Sequence, residues 1–392
     1  MVNAILAIFV VLLLGAAAEL VGRWWIRHRT HYYVFLPRLR MRLSPDPDIF
    51  PRMERSVRFD VNAEGERGGE VPAAPNGLFR VLVAGGSAPE GYLLDQATFW
   101  PGRLQTLLQT REGLNTLDAS DVHVGSVAKS GVGSEGLSLI FENILGRYPR
   151  LQMIVILVGA SDMLRWLEAG TPHTPPPVKI ADTFRLHPEM TFRWKPKHLA
   201  LFELLVRIRQ RWFLRVEVQE RACKWIGRAR AMRSNAKEIF TSVPDPSPMV
   251  NHFDMHMREA ITKAKAHADR VLIVRQPWFD KPCTPEEAAQ MWHGGAGQAW
   301  REQVNAFFSH EVLLKLMVLL DERASAVARE LDVEQLDVRP VLDPSVSTFY
   351  DFFHLTPIGS LRVADAVAAA VLRQPGAVDV ADEASEYQRK VS

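Results

Sequence analysis

Two short, widely separated segments carry the residue types of acyl-transfer chemistry. Ser87 follows Gly85-Gly86 and precedes Ala88-Pro89. A serine nucleophile needs an exposed hydroxyl, a base to take its proton, and donors aimed at the developing oxyanion. A tight Gly-Gly turn exposes the hydroxyl and leaves the Ser87 N–H as one such donor. Near the other end, Asp351-Phe352-Phe353-His354 sets a carboxylate and an imidazole three residues apart. Within one turn that offset lets Asp351 reach the His354 Nδ1–H, which fixes the tautomer and leaves Nε2 facing the serine. Singly, each piece is weak: Gly-Gly-Ser is common, and Asp-x-x-His also makes structural turns.

These segments need a framework to bring them together, and the sequence around them alternates. Phe79–Ala84 is a short β-branched apolar run stopped by glycines, the pattern of a strand buried in a parallel sheet. Residues 122–124, 154–158, 271–274 and 333–338 repeat it. Helical patterns intervene. Thr98 is placed to cap one with Leu104, Leu107 and Leu108 on a face, another covers 311–331, and a third begins at Thr356-Pro357 and runs to about 372. Strands alternating with helices predict a doubly wound parallel sheet, which binds ligands beyond the carboxyl ends of its strands. Gly85-Gly86-Ser87 and Gly159-Ala160-Ser161-Asp162 fall at that edge.

In this order, the segments resemble the SGNH/GDSL hydrolase family in four blocks. Gly85-Gly86-Ser87 matches the nucleophile block, and Ser126–Gly136 the second block. Gly159-Ala160-Ser161-Asp162 matches the Gly-x-Asn-Asp block, and Asp351–His354 the Asp-x-x-His block. Asn62-Ala63-Glu64-Gly65-Glu66-Arg67-Gly68 and Gln276-Pro277 are similar to segments of a membrane-anchored bacterial subgroup. The resemblance covers about 57–165 and 267–373. It implies a flavodoxin-like three-layer α/β/α domain with Ser87, Asp351 and His354 as the catalytic residues. It also implies Ser87 N–H, Gly131 N–H and the side chain of residue 161 as the oxyanion hole. One departure matters: Ser161 stands where the family has asparagine, and a hydroxyl is a shorter donor than a carboxamide.

The chain has 392 residues, with 47 Lys and Arg against 45 Asp and Glu. That balance argues against nucleic acid as the main partner. Cys223 and Cys283 cannot make a disulfide framework or a CxxC site; free thiols are the simpler reading, with one bridge as the alternative. Residues 4–21 are almost continuously apolar and are followed by Trp24, Trp25, Tyr32 and Tyr33. The run is about 20 residues, enough for a membrane span. No Lys or Arg precedes it, which favours an uncleaved anchor over a signal peptide cut near Ala16-Ala17-Ala18. Arg23, Arg27, Arg29, Arg38, Arg40 and Arg42 just after the span favour a cytoplasmic domain, whereas glycan-modifying relatives face outward.

Five segments follow: 1–22 as transmembrane anchor, 23–75 as an aperiodic juxtamembrane connector, 76–167 with 266–373 as the hydrolase domain, 168–265 as a helical insertion, and 374–392 as a frayed tail. The insertion, with a helical stretch at 199–233 rich in Leu and Arg, reads as a lid, a lipid-facing basic helix, or a core-packing helix with a solvated face. There is no GxGxxG, no phosphate loop and no GxSxG elbow. His252 and His256 stand four apart, but without HExxH context solvated or capping histidines are the simpler reading; His123 and His310 read as structural. No metal or organic cofactor is implied. The sequence specifies no oligomeric state. The expected activity is hydrolysis of an acylated small-molecule, lipid or glycan ester, with transfer of acyl groups to a polysaccharide as the alternative. A non-catalytic binding fold, suggested by Ser161, is the third reading.

Overall fold

The computed structural model describes residues 2–72, 77–212 and 216–373. The expected frayed tail at 374–392 lies outside the described residues. The centre is a five-stranded parallel sheet built from β1 (Leu78–Gly85), β2 (Asp121–Ser126), β3 (Leu151–Leu157), β4 (Ala268–Val274) and β5 (Glu334–Leu336). Their spatial order is β2-β1-β3-β4-β5. Val81 pairs with Val124 and with Met153, Ile154 with Val271, and Leu272 with Glu334. The apolar runs are buried on both faces, as crossover helices require: Val81, Leu82, Val83, Ile154, Val155 and Ile156 are all essentially inaccessible.

Right-handed crossovers put helices on opposite faces wherever the chain reverses direction across the sheet. The packing follows that rule. Helix Ser247–His267 lies against Ser134–Ile144 and His310–Glu330, while Trp100–Leu108 packs with Pro357–Leu372. Two starts match the sequence reading: Ser309 Oγ accepts from Val312 N at 3.3 Å, and Thr356 Oγ1 from Gly359 N at 3.4 Å. Thr98 does not cap. The helix begins at Trp100 with Pro101 in its first turn, and Thr98 Oγ1 donates instead to Glu54 at 2.8 Å. Proline supplies the preset backbone that a capping side chain would otherwise secure.

The stretch 199–233 is not one continuous helix. Helices Ala200–Trp212 and Trp225–Ser234 flank a strand, Val216–Ala222, that pairs in parallel with Arg40–Pro45. The polar–apolar alternation of Val-Glu-Val-Gln fits a strand better than a helix. Within the aperiodic connector, Arg40–Pro45 and Val57–Asp60 form an antiparallel pair, with Met41, Leu43, Val57 and Phe59 turned inward. Helix Ser247–His267, at the end of the expected insertion, belongs to the layer over the sheet and leads directly into β4.

Helix Val2–Arg29 is long and apolar enough to cross a membrane, and a signal sequence near an N-terminus would look the same. Almost none of it is covered by the rest of the chain. Glu19, Gly22 and Ile26 are the exceptions.

The capping assignments are testable. Thr356→Ala should cost about 1 kcal/mol through the lost cap. Thr98→Ala, which loses only a partly exposed hydroxyl contact, should cost under about 0.5 kcal/mol. Urea unfolding of the detergent-solubilised chain measures both, and equal costs would contradict the assigned helix start.

Candidate active site

The strand-to-helix turn after β1 is shaped by close approach. Gly85 has φ 148°, and a Cβ there would overlap the Leu157 carbonyl of β3. Only glycine fits such a backbone this near a neighbouring strand. A Cβ on Gly86 would sit 3.0 Å from Val132 O and 3.5 Å from Ser161 Oγ, so its absence lets the neighbouring loops close on the turn. Ser87 then opens a one-turn helix, Ser87–Glu90, which Gly91 ends in the left-handed region at φ 56°.

Ser87 Oγ lies 2.7 Å from His354 Nε2. On the far side of the ring, His354 Nδ1 lies 2.8 Å from Asp351 Oδ2. Asp351 is buried and accepts three further bonds: from Phe353 N at 3.0 Å, from His354 N at 2.9 Å, and from Trp292 Nε1 at 2.8 Å. Burial opposes charge on Asp351, but the neighbouring His354 and His293 and these donors outweigh it and hold the carboxyl well below the usual range. An ionised Asp351 requires Nδ1 to carry the proton, so Nε2 presents its lone pair to Ser87. The geometry is that of a hydroxyl poised to lose its proton to an imidazole with a fixed tautomer.

The loop carrying this pair is held from three sides. The Tyr350 ring stacks on His354 at 5.3 Å between centroids. The Tyr350 carbonyl accepts from Arg230 Nη2 at 2.8 Å, and Arg230 also donates to Gln290 O and Ile49 O. His293 packs beneath, its ring 4.9 Å from Phe353 and 5.6 Å from His354.

Gly131 and Ser161 sit at the same edge. Gly131 has φ 79°, and a Cβ there would meet nothing within 4 Å, so its backbone borders open space. The turn before it is fixed by Glu90, a buried carboxylate that accepts from both Ser130 N, at 2.9 Å, and Ser130 Oγ. Burial pushes the Glu90 carboxyl up, against the opposing pull of the Ser130 donors and the Arg67 charge. Ser161 is buried in the first turn of helix Ala160–Glu168. Next to it, Asp162 accepts from Ser134 N at 3.0 Å and Ser134 Oγ at 2.6 Å, tying the Ser161 turn to the loop after Gly131.

The segment Asn62–Gly68 reaches the site through Arg67. This side chain is wholly buried between the faces of Phe59 and Phe99, at 4.2 and 3.9 Å from the ring centres. It donates to the carbonyls of Glu90, of Gly91 at 2.8 Å, and of Leu94 at 2.6 Å. Its backbone pairs with Ser126 at the end of β2. Asn62 and Glu66 brace it, and Glu66 also binds buried His123 at 2.8 Å and Arg80 at 3.0 Å. Cys223 and Cys283 are free.

Ser87, His354 and Asp351 meet at one end of the sheet, with Ser161 and the loop carrying Gly131 packed against the Gly85-Gly86 turn. Trp292, Arg230, Tyr350 and Glu90 were missed. Glu90, three residues after Ser87, and Tyr350, next to Asp351, had a local signal.

Burial holds the His293 pKa down to about 3; the nearby Asp351 carboxylate pulls the other way, and the His354, Arg233 and Arg230 charges add to the fall. Its native form is therefore neutral. The stability it contributes is complete above the ordinary histidine value and declines as pH falls toward about 3, by at most about 1.4 kcal/mol per unit. Urea midpoints at pH 7.5, 5.5 and 4.5 should fall steadily in the wild type. His293→Phe should flatten that fall, and an unchanged slope would contradict it.

No protein-family model matches this chain, and no curated protein matches it. Solved structures similar to it include two enzymes. The acetylxylan esterase Axe2 from Geobacillus stearothermophilus shares 10% identity over 75% of this chain and 94% of that one, with a TM-score of 0.40. LAE5, described as an alpha/beta hydrolase enzyme from the metagenome of Lake Arreo, Spain, shares 10% over 77% and 98%, also with a TM-score of 0.40. At that level of likeness neither neighbour decides the activity of this chain.

Proposed function

We propose that the chain is a membrane-anchored serine hydrolase of the SGNH/GDSL type that cleaves carboxylic esters through a covalent acyl-enzyme. The observation that carries this reading is the continuous relay Ser87 Oγ–His354 Nε2, His354 Nδ1–Asp351, at 2.7 and 2.8 Å. The strand order β2-β1-β3-β4-β5 supports the flavodoxin-like arrangement expected of that fold.

Ser87 Oγ attacks the ester carbonyl carbon as its proton passes to His354 Nε2. The tetrahedral oxyanion is held by the Ser87 and Gly131 N–H groups and by the Ser161 hydroxyl. Collapse breaks the bond to the alkoxy oxygen, which leaves with the His354 proton. Water then attacks the acyl-serine by the same route and releases the acid. A sugar hydroxyl in place of water would make the same site an acyltransferase. The short Ser87–His354 contact weighs against the non-catalytic reading.

Labelling of the full chain by a fluorophosphonate probe tests this. Wild type should label, and Ser87→Ala should not. Ser161→Ala should lower ester turnover by about 10²-fold, the usual scale for one oxyanion donor, whereas Ser161→Asn should restore or raise it. A folded wild type that never labels would refute the proposal.

The anchor reading rests on Glu19. A carboxylate at the end of an apolar span is costly unless paired. Here it is buried, accepting from Ala200 N at 2.9 Å, Leu201 N at 3.0 Å and Arg23 Nε at 2.7 Å. It thus caps helix Ala200–Trp212, whose Leu201 and Leu204 pack on Gly22 and whose Phe202, Leu205 and Ile208 are exposed. Arg207 Nη1 donates to Thr30 Oγ1 at 2.7 Å, a second latch beyond the span. These contacts favour the lipid-facing reading of the insertion over a lid, with Trp24, Trp25 and Trp194 exposed at the same level. The chain should stay in the membrane pellet after carbonate extraction with its N-terminal helix intact by mass spectrometry. Cleavage near Ala18 would instead establish a signal peptide.

A further inference from the structure

A second cluster of chemistry-bearing side chains lies away from the Ser87 relay. On helix Ser247–His267, Met249, Phe253, Met257 and Ala260 turn inward, and His252 and His256 share another face. Residues four apart stand one above the other on a helix. Their rings meet edge-on at 4.5 Å between centroids. The first turn of the adjoining helix Ser134–Ile144 adds Glu135 to them. Its Oε1 accepts from Val178 N at 3.0 Å. Its Oε2 is buried, has no hydrogen-bond partner among the described residues, and lies 3.6 Å from His252 Nε2.

One donor atom from each of the three residues falls within 4.8 Å of the others. A cavity of about 20 Å³, with Trp166, Met249 and Pro175 in its wall, opens beside Glu135 and His252. That is room for roughly one water. Glu259 Oε2 engages His256 Nδ1 at 3.1 Å, which leaves Nε2 as the available lone pair. A carboxylate holding the far nitrogen of a histidine is the usual support of a metal-binding imidazole. The charged groups around the cluster are mixed. Asp162 is saturated by Ser134, and Arg165, which donates to Pro176 O, opposes a cation from one side.

We propose that Glu135, His252 and His256 bind a divalent cation of the zinc class, with solvent completing its shell. Two imidazoles and one carboxylate select borderline ions over the all-oxygen coordination of calcium or magnesium. Bonds of about 2.1 Å need donors roughly 3.4 Å apart in a tetrahedron, so the cluster must draw in by about 1 Å. The side chains are 16–20% exposed and have room to turn. The ion ties helix Ser247–His267 to the helix that follows Gly131 and, through Glu135, to the Val178 loop. It acts as a clamp beside the active site and takes no part in the Ser87 chemistry.

The test uses the full-length protein in detergent, freed of metal by chelator dialysis. Equilibrium dialysis against zinc should load a single ion with micromolar or tighter affinity, and cobalt should give a visible tetrahedral absorption band. His256→Asn and Glu135→Gln should each weaken zinc binding at least tenfold, while His31→Asn leaves it unchanged. Fluorophosphonate labelling retained in His256→Asn shows that the variant is folded and separates this site from the hydrolase proposal. Absence of uptake at micromolar zinc overturns the inference. So does uptake that survives His256→Asn, which would place the ion elsewhere, the His354 cluster included.

Discussion

The site depends on one buried cation that, among the described residues, has no carboxylate bonded to it. Arg67 is enclosed by Phe59 and Phe99 and spends its donors on the carbonyls of Glu90, Gly91 and Leu94. A guanidinium removed from water must satisfy its donors inside the protein, and its planar fork can gather several carbonyls at once. Burial pulls its pKa down, opposed by the charges of Glu90, Asp95 and Asp60. By gripping the end of the Ser87–Glu90 turn, Arg67 fixes where that short helix stops. Glu90, anchored in that turn, then fixes Ser130 and the loop carrying Gly131. The hydroxyl and one expected oxyanion donor are thus positioned by a single side chain that touches neither.

A parallel logic governs the acid–base side. Asp351 collects donors from Trp292, Phe353 and His354 N, so both oxygens are held in place and Oδ2 keeps a lone pair for the imidazole. Arg230 holds the Tyr350 carbonyl, and Tyr350 lies flat on the His354 ring. The imidazole is therefore confined on its face as well as at its edge. Such preorganisation spares the site from reorganising as charge develops.

β1, β3 and β4 were legible because each carries a β-branched apolar run buried on both faces, whereas β5, Glu334–Leu336, is polar and half-buried and was read from the valines flanking it. The placement of Ser87, Asp351 and His354 followed from strand ends and chain order. Arg40–Pro45 was not recognised because its inward Met41 and Leu43 alternate with arginines over only a few residues. Val216–Ala222 was hidden by helix-forming residues on either side; the open edge of Arg40–Pro45 decided its state. Trp292 and Arg230 could not be found from local pattern, since their bonds to Asp351 and Tyr350 span 59 and 120 residues. Glu135 joins His252 and His256 only because two layer helices pack together. Contacts of this kind arise from tertiary packing and leave no periodic trace.

The pairing of Arg40–Pro45 with Val216–Ala222 bears on reach. A flexible linker of the length between residues 30 and 75 would let an attached domain wander roughly 35–40 Å from its anchor. Here that length is consumed in a small sheet zipped to the insertion, and the insertion is latched back to the N-terminal helix at Glu19 and Thr30. With the helix in a bilayer, the mouth of the site stands at a fixed height above the lipid. On the proposed function, position then becomes a filter alongside shape: an ester group presented at that height is met, and the same group carried farther out on a long polymer is passed over.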